Sequence, residues 1–78
     1  MDNVNDIIDM LKDRLVEATR KTSRINKDID DPDSTLYSFA ELIEAQELEA
    51  QLRSILLAIT GEYLYWIEDK QEFINLAR

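Results

Sequence analysis

Ile55-Leu56-Leu57-Ala58-Ile59-Thr60-Gly61-Glu62-Tyr63-Leu64-Tyr65-Trp66-Ile67 is the stretch on which the fold turns. It holds the chain's one glycine, with β-branched Ile59 and Thr60 before it and an aromatic-rich run after it. A glycine inside a helix costs up to about 1 kcal/mol relative to alanine, so Gly61 is either a tolerated interior residue or a break. No proline and no polar run accompanies it, and at about 100° per residue Ile59, Tyr63 and Trp66 share one helical face. The pattern predicts a second helix over about 38–77, continuous or kinked at Gly61. The alternative is a break there, with a third helix over Glu62–Ala77 or a C-terminal segment folded back over the rest. No strand is expected, because alternation does not persist outside the helical patterns.

Upstream, Asp28-Ile29-Asp30-Asp31-Pro32-Asp33-Ser34 reads as a turn. Pro32 cannot continue a helix and pushes Asp31 out of helical geometry. Ser38-Phe39-Ala40-Glu41 has the form of a capping box that restarts one. Before the turn, Val4, Ile8, Leu11, Leu15, Ala18, Thr22, Ile25 and Ile29 recur at spacings of 4,3,4,3,4,3,4. That heptad stripe predicts a first helix over about 4–29, capped by Asn3 or Asn5, with Asp6 and Asp9 placed favourably for the helix dipole. The expected fold is all-α: a single domain over 1–78, built as an antiparallel two-helix hairpin with its turn at 30–37.

An antiparallel hairpin puts residue i of the first helix opposite roughly residue 66 − i, so Ile25 faces the Glu41–Leu42 level, Leu15 faces the Gln51–Leu52 level and Val4 faces Glu62. The basic cluster Arg20, Lys21, Arg24 and Lys27 would then lie beside Glu41, Glu44 and Glu47, with exposed pairs contributing about 0.2–1 kcal/mol each. The second helix would overrun the first by about 16 residues, roughly 24 Å at 1.5 Å per residue. Leu57, Tyr63, Leu64, Tyr65, Trp66 and Phe73 would then need cover from elsewhere, and they are the expected interface. A chain of 78 residues buries only about 60% of its unfolded surface, which leaves a lone core marginal. A homodimer packing the C-terminal halves into a four-helix bundle supplies the missing burial.

The chain has no histidine and no cysteine, which removes the usual nucleophilic triads, Cys/His metal sites and disulfides. With one glycine there is no phosphate-cradling loop. A calcium loop starting at Asp28 would need glycine at its sixth position and glutamate at its twelfth; those positions are Asp33 and Phe39. Glu41 and Glu44 form an ExxE pair that resembles half of the metal site of the all-helical MazG-type nucleotide pyrophosphohydrolases. Those enzymes carry an ExxD pair on a second helix, and here no glutamate is followed by aspartate three residues later. No catalytic, cofactor or metal residue is assigned, and the chain reads as a non-enzyme.

Seventeen acids against nine bases give a net charge of −8, which disfavours direct contact with nucleic-acid phosphates or anionic membranes. No apolar run approaches the roughly 20 residues of a membrane span, and no signal-peptide pattern opens the sequence, so a cytoplasmic protein is expected. The function expected is that of a small homo-oligomeric regulator, adaptor or antagonist of another protein, of the kind encoded by phages and mobile elements. Two other classes stay open. Asp6, Asp9, Asp13 and Glu17 could imitate a phosphate backbone and inhibit a nucleic-acid-binding protein. An oligomer could also sequester a small ligand such as a signalling nucleotide, with Arg53, Lys70 and Arg78 the bases available in the C-terminal half.

Overall fold

The computed structural model describes residues 3–30 and 39–76. Helix α1 spans Val4–Asp30 and α2 spans Phe39–Thr60; strands β1, Leu64–Ile67, and β2, Glu72–Asn75, form an antiparallel pair joined by a short 3-10 turn over Glu68–Lys70. The turn around Pro32 and the Ser38 cap lie outside the described residues.

The start of α1 is set by Asn3, whose Oδ1 accepts the Asn5 N–H at 2.6 Å and whose carbonyl accepts the Asp6 N–H at 3.0 Å. This places Asn3 as the cap, with Asp6 in the first turn and Lys27 in the last, both favourable to the helix dipole. The heptad stripe forms the buried face from Ile8 onward: Leu15, Ala18 and Ile25 are buried, with Ile8, Leu11, Thr22 and Ile29 half-buried beside them, while Val4 at its start is exposed. On α2 the buried residues are Ala45, Glu49, Leu52 and Leu56.

α2 stops at Gly61, and this corrects the expected helix to residue 77. Gly61 takes a positive φ of 76°, and its N–H caps the Leu57 carbonyl at 2.9 Å. Such a left-handed terminal glycine is a common helix stop. Thr60 Oγ1 turns back to donate to the Leu56 carbonyl at 2.7 Å and accepts the Glu62 N–H at 3.1 Å. The chain then folds back over the helix pair, as the alternative reading of Gly61 had it, but as a β-hairpin. The expectation of an all-α fold and of no strand is corrected likewise: two helices dominate, with a small antiparallel sheet beside them. The overrun also disappears, since α2 has 22 residues and α1 has 27.

The hairpin pairs Leu64 with Asn75, Tyr65 with Ile74, Trp66 with Phe73 and Ile67 with Glu72. The ladder extends one step through the Leu76 N–H to the Tyr63 carbonyl at 2.9 Å and the Tyr63 N–H to Asn75 Oδ1 at 3.0 Å. Leu64 is buried in one cluster with Leu15, Ala18, Leu52 and Leu56, and Phe73, Ile8 and Leu11 pack around it. An isolated two-stranded hairpin is marginal in water; this one is held by the helices beneath it.

Candidate interaction surface

Two polar clusters fasten the hairpin to the helix pair. The first is nearly buried: Glu49 is 7% exposed and accepts from Thr22 Oγ1 at 2.8 Å and from Arg53 at 3.4 Å. Arg53 Nε also donates to the Leu64 carbonyl at 3.0 Å, and its guanidinium lies 3.9 Å from the Tyr65 ring centroid. One arginine thus joins α2, β1 and an aromatic ring. Burying such a charge is tolerable only when it is fully partnered. The Thr22–Glu49 bond sets the helix register about a turn from the expected 66 − i.

The second cluster centres on Glu68 in the hairpin turn. Arg20 Nε donates to both carboxylate oxygens, at 2.9 and 3.2 Å, while the Trp66 indole N–H and Gln71 Nε2 donate to the same group. These donors, Arg20 foremost, hold the Glu68 carboxyl well below the usual carboxylate range, at about 2. Glu68 in turn raises the pKa of Arg20 above its ordinary value. Gln71 sits at a positive φ of 52°, stabilised by its side-chain bond to the Glu68 carbonyl at 2.7 Å. The inter-element ion pair of Arg20 is therefore with Glu68, where the sequence suggested the acids of the second helix.

The six residues expected at an interface do not form one exposed patch. Leu64 lies in the core. Phe73 packs against that core and meets Trp66 edge to face at a centroid distance of 5.0 Å. Tyr63, Tyr65 and Trp66 are half-buried, with Arg20 over Trp66 and Lys12 over Phe73. Leu57 is exposed. The aromatic rings largely find their cover within the chain, from α1, Arg53 and one another. Among the bases considered for a small ligand, Arg53 is engaged internally, Lys70 is exposed, and Arg78 lies outside the described residues.

Asp6, Asp9, Asp13 and Glu17 are all exposed and fall within an arc of about 80° on α1, taking about 100° per residue. Among the described residues no group of three or more acids, histidines or cysteines could hold a metal ion. No described helix is long and apolar enough to cross a membrane.

A partly apolar surface lies on the side of the helix pair away from Arg20, Arg53 and the hairpin they hold. There Arg14, Glu17, Lys21 and Arg24 of α1 and Leu48 and Leu52 of α2 line an open groove of about 390 Å³. Ile7 and Met10 continue the α1 row of this groove at spacings of 3 and 4 toward the N-terminus, and Ile55 and Ile59 continue the α2 row. Ile7, Met10, Leu48, Ile55 and Ile59 are each 42–48% exposed, unusually much for large apolar side chains set so close together. The sequence carries a signal for this face, a second heptad stripe on α1 beside the one that forms the core.

The chain matches no family model, no curated protein and no solved structure. Its function has to be argued from these surfaces.

Proposed function

We propose that the protein is a non-enzymatic protein–protein interaction module, a small self-associating regulator, adaptor or antagonist of another protein. Its helical layer pairs with a second copy to give a four-helix core. The observation that carries this reading is the uncovered apolar face formed by Ile7, Met10, Leu48, Ile55 and Ile59. The chain's interior is small: seven apolar residues form the buried core among the described residues, and extra burial through association is the common remedy for a domain of this size. Sedimentation equilibrium tests it. The intact chain sediments as a dimer at about 50 µM, an ordinary micromolar association, and Ile55→Asp sediments as a folded monomer. A chain that is monomeric throughout, with no partner bound through this face, refutes the reading.

A second reading rests on the acidic stripe. Asp6, Asp9, Asp13 and Glu17 are exposed along one side of a rigid helix, at a spacing suited to imitating phosphates for a basic nucleic-acid-binding protein. Reversing Asp6, Asp9 and Asp13 to lysine abolishes such an inhibition and leaves self-association intact. If the apolar face carries the activity, Ile55→Asp abolishes it instead.

A further inference from the structure

The uncovered face is built from two rows, each changing character along its length. On α1 the row is Ile7, Met10, Arg14, Glu17, Lys21 and Arg24, at spacings of 3,4,3,4,3, apolar at the N-terminal end and mainly basic toward the C-terminal end. On α2 it is Glu44, Leu48, Gln51, Ile55 and Ile59, at spacings of 4,3,4,4, acidic first and apolar last. The helices are antiparallel, and the Thr22–Glu49 bond with the shared groove sets their relative height. Met10 lies within about a turn of the level of Ile59, and Arg24 within about a turn of Glu44. Both apolar ends are therefore at one end of the layer, and both charged ends at the other.

Resting on the self-association reading above, we propose that this face is covered by the same face of a second copy, related by a twofold axis running along the helices. That operation lays α1 of each copy over α2 of the other at equal height. Met10 then meets Ile59 of the second copy, the Arg14 and Lys21 stems cover Ile55 and Leu48, and Arg24 meets Glu44 of the second copy. Arg14, Lys21 and Arg24 make no ion pair among the described residues of their own chain, so these cations are available for the contact. A twofold axis across the helices would instead lay each helix over its own copy, setting Lys21 and Arg24 against Met10 and Ile7 and Glu44 against Ile59. The contact rows, Ile7 to Arg24 on one helix and Glu44 to Ile59 on the other, run about 25 Å, and two helices side by side are about 20 Å wide. The resulting footprint of about 500 Å² per copy is at the small end of specific interfaces, in keeping with a micromolar association.

The test pairs charge reversal with cross-linking, using sedimentation velocity and a cysteine-free background. Arg24→Glu and Glu44→Arg are each expected to raise the dimer dissociation constant about tenfold, since symmetry makes every change count twice. The double variant returns to within about threefold of the unmodified chain. An equimolar mixture of Met10→Cys and Ile59→Cys chains, treated with a short bis-maleimide, gives mainly the mixed cross-link. A dimer in which the double variant fails to recover, or in which Met10→Cys chains cross-link mainly to one another, overturns this pairing and leaves self-association standing. A chain that stays monomeric at about 200 µM overturns both. An acidic helical partner of another kind, bound in place of a second copy, would show as such a monomer whose binding to that partner is lost in Arg24→Glu.

Discussion

Arg53 is the side chain whose loss should be felt most widely for its size. It is 12% exposed at the side chain and pairs with a Glu49 side chain that is 9% exposed. Replacing it by methionine keeps most of its apolar stem while removing three interactions. The hydrogen bond to the Leu64 carbonyl is charge-assisted, a class that contributes about 1.5–3 kcal/mol. Stacking over Tyr65 at 3.9 Å adds about 0.5–2 kcal/mol. Glu49 would keep only Thr22 as its cross-element partner, and breaking a buried ion pair from one side costs about 3–5 kcal/mol. These contributions overlap, so the expected total is about 3–4 kcal/mol. In a domain of this size that lowers Tm by about 12–30 °C. The assay is urea unfolding at fixed protein concentration, followed by circular dichroism for the helices and by Trp66 fluorescence for the hairpin. Arg53→Met should bring the fluorescence transition to lower urea than the helical one, because Arg53 fastens the hairpin to α2. The double replacement Glu49→Leu with Arg53→Met should recover at least half of the loss, since an apolar pair needs no partner. A loss below about 1 kcal/mol in Arg53→Met, with coincident transitions, would refute the claim that this network holds the hairpin in place.

Other outcomes follow from single features. Leu56 is fully buried among core residues of α1, α2 and β1, so Leu56→Ala should cost about 3–4 kcal/mol in the same titration. Gly61→Ala meets no atom within 4 Å; its penalty is the positive φ alone, about 1–2 kcal/mol, and Gly61→Asn should lose less, as measured by the shift in Tm. The Glu68 carboxyl is held at about 2, below its ordinary value of 4.5, so its clasp on Arg20 stabilises the fold above that ordinary value. The contribution declines as pH falls below it and is gone once pH passes through about 2. A Trp66 fluorescence titration should show this transition and Glu68→Gln should abolish it; an unchanged titration in that variant would mean another group is responsible.

The helical layer was legible because its signals are long. Eight stripe positions on α1 outvote any local ambiguity, and the buried residues Leu15, Ala18 and Ile25 all belong to that stripe. The hairpin was not legible, for two physical reasons. Its strands have four residues each, too few for alternation to be told from helical spacing, and Ile59, Tyr63 and Trp66 fall at helical spacings of 4 and 3. Its turn also lacks the usual marker: the left-handed position is filled by Gln71, with no Gly or Asn. The signal that was available is the run Tyr63-Leu64-Tyr65-Trp66-Ile67 immediately after Gly61, rich in aromatic and β-branched residues that favour strands. The open apolar face was half legible. Its α1 row is a clean heptad, but finding it required knowing that the C-terminal segment covers the other side.

That one-sided cover has a consequence for how association ends. A bare pair of amphipathic helices with apolar flanks front and back could stack on copies of itself without limit, and a repeating contact of that kind grows into filaments. By laying aromatic residues across the back, the folded-over tail covers one flank of the helix pair and leaves the flank of Ile7, Met10, Leu48, Ile55 and Ile59 open. In the twofold pairing proposed above, two molecules would cover that open flank on each other and the pairing would close. Chains cut after Thr60 should therefore lose more than stability: they should grow without stopping.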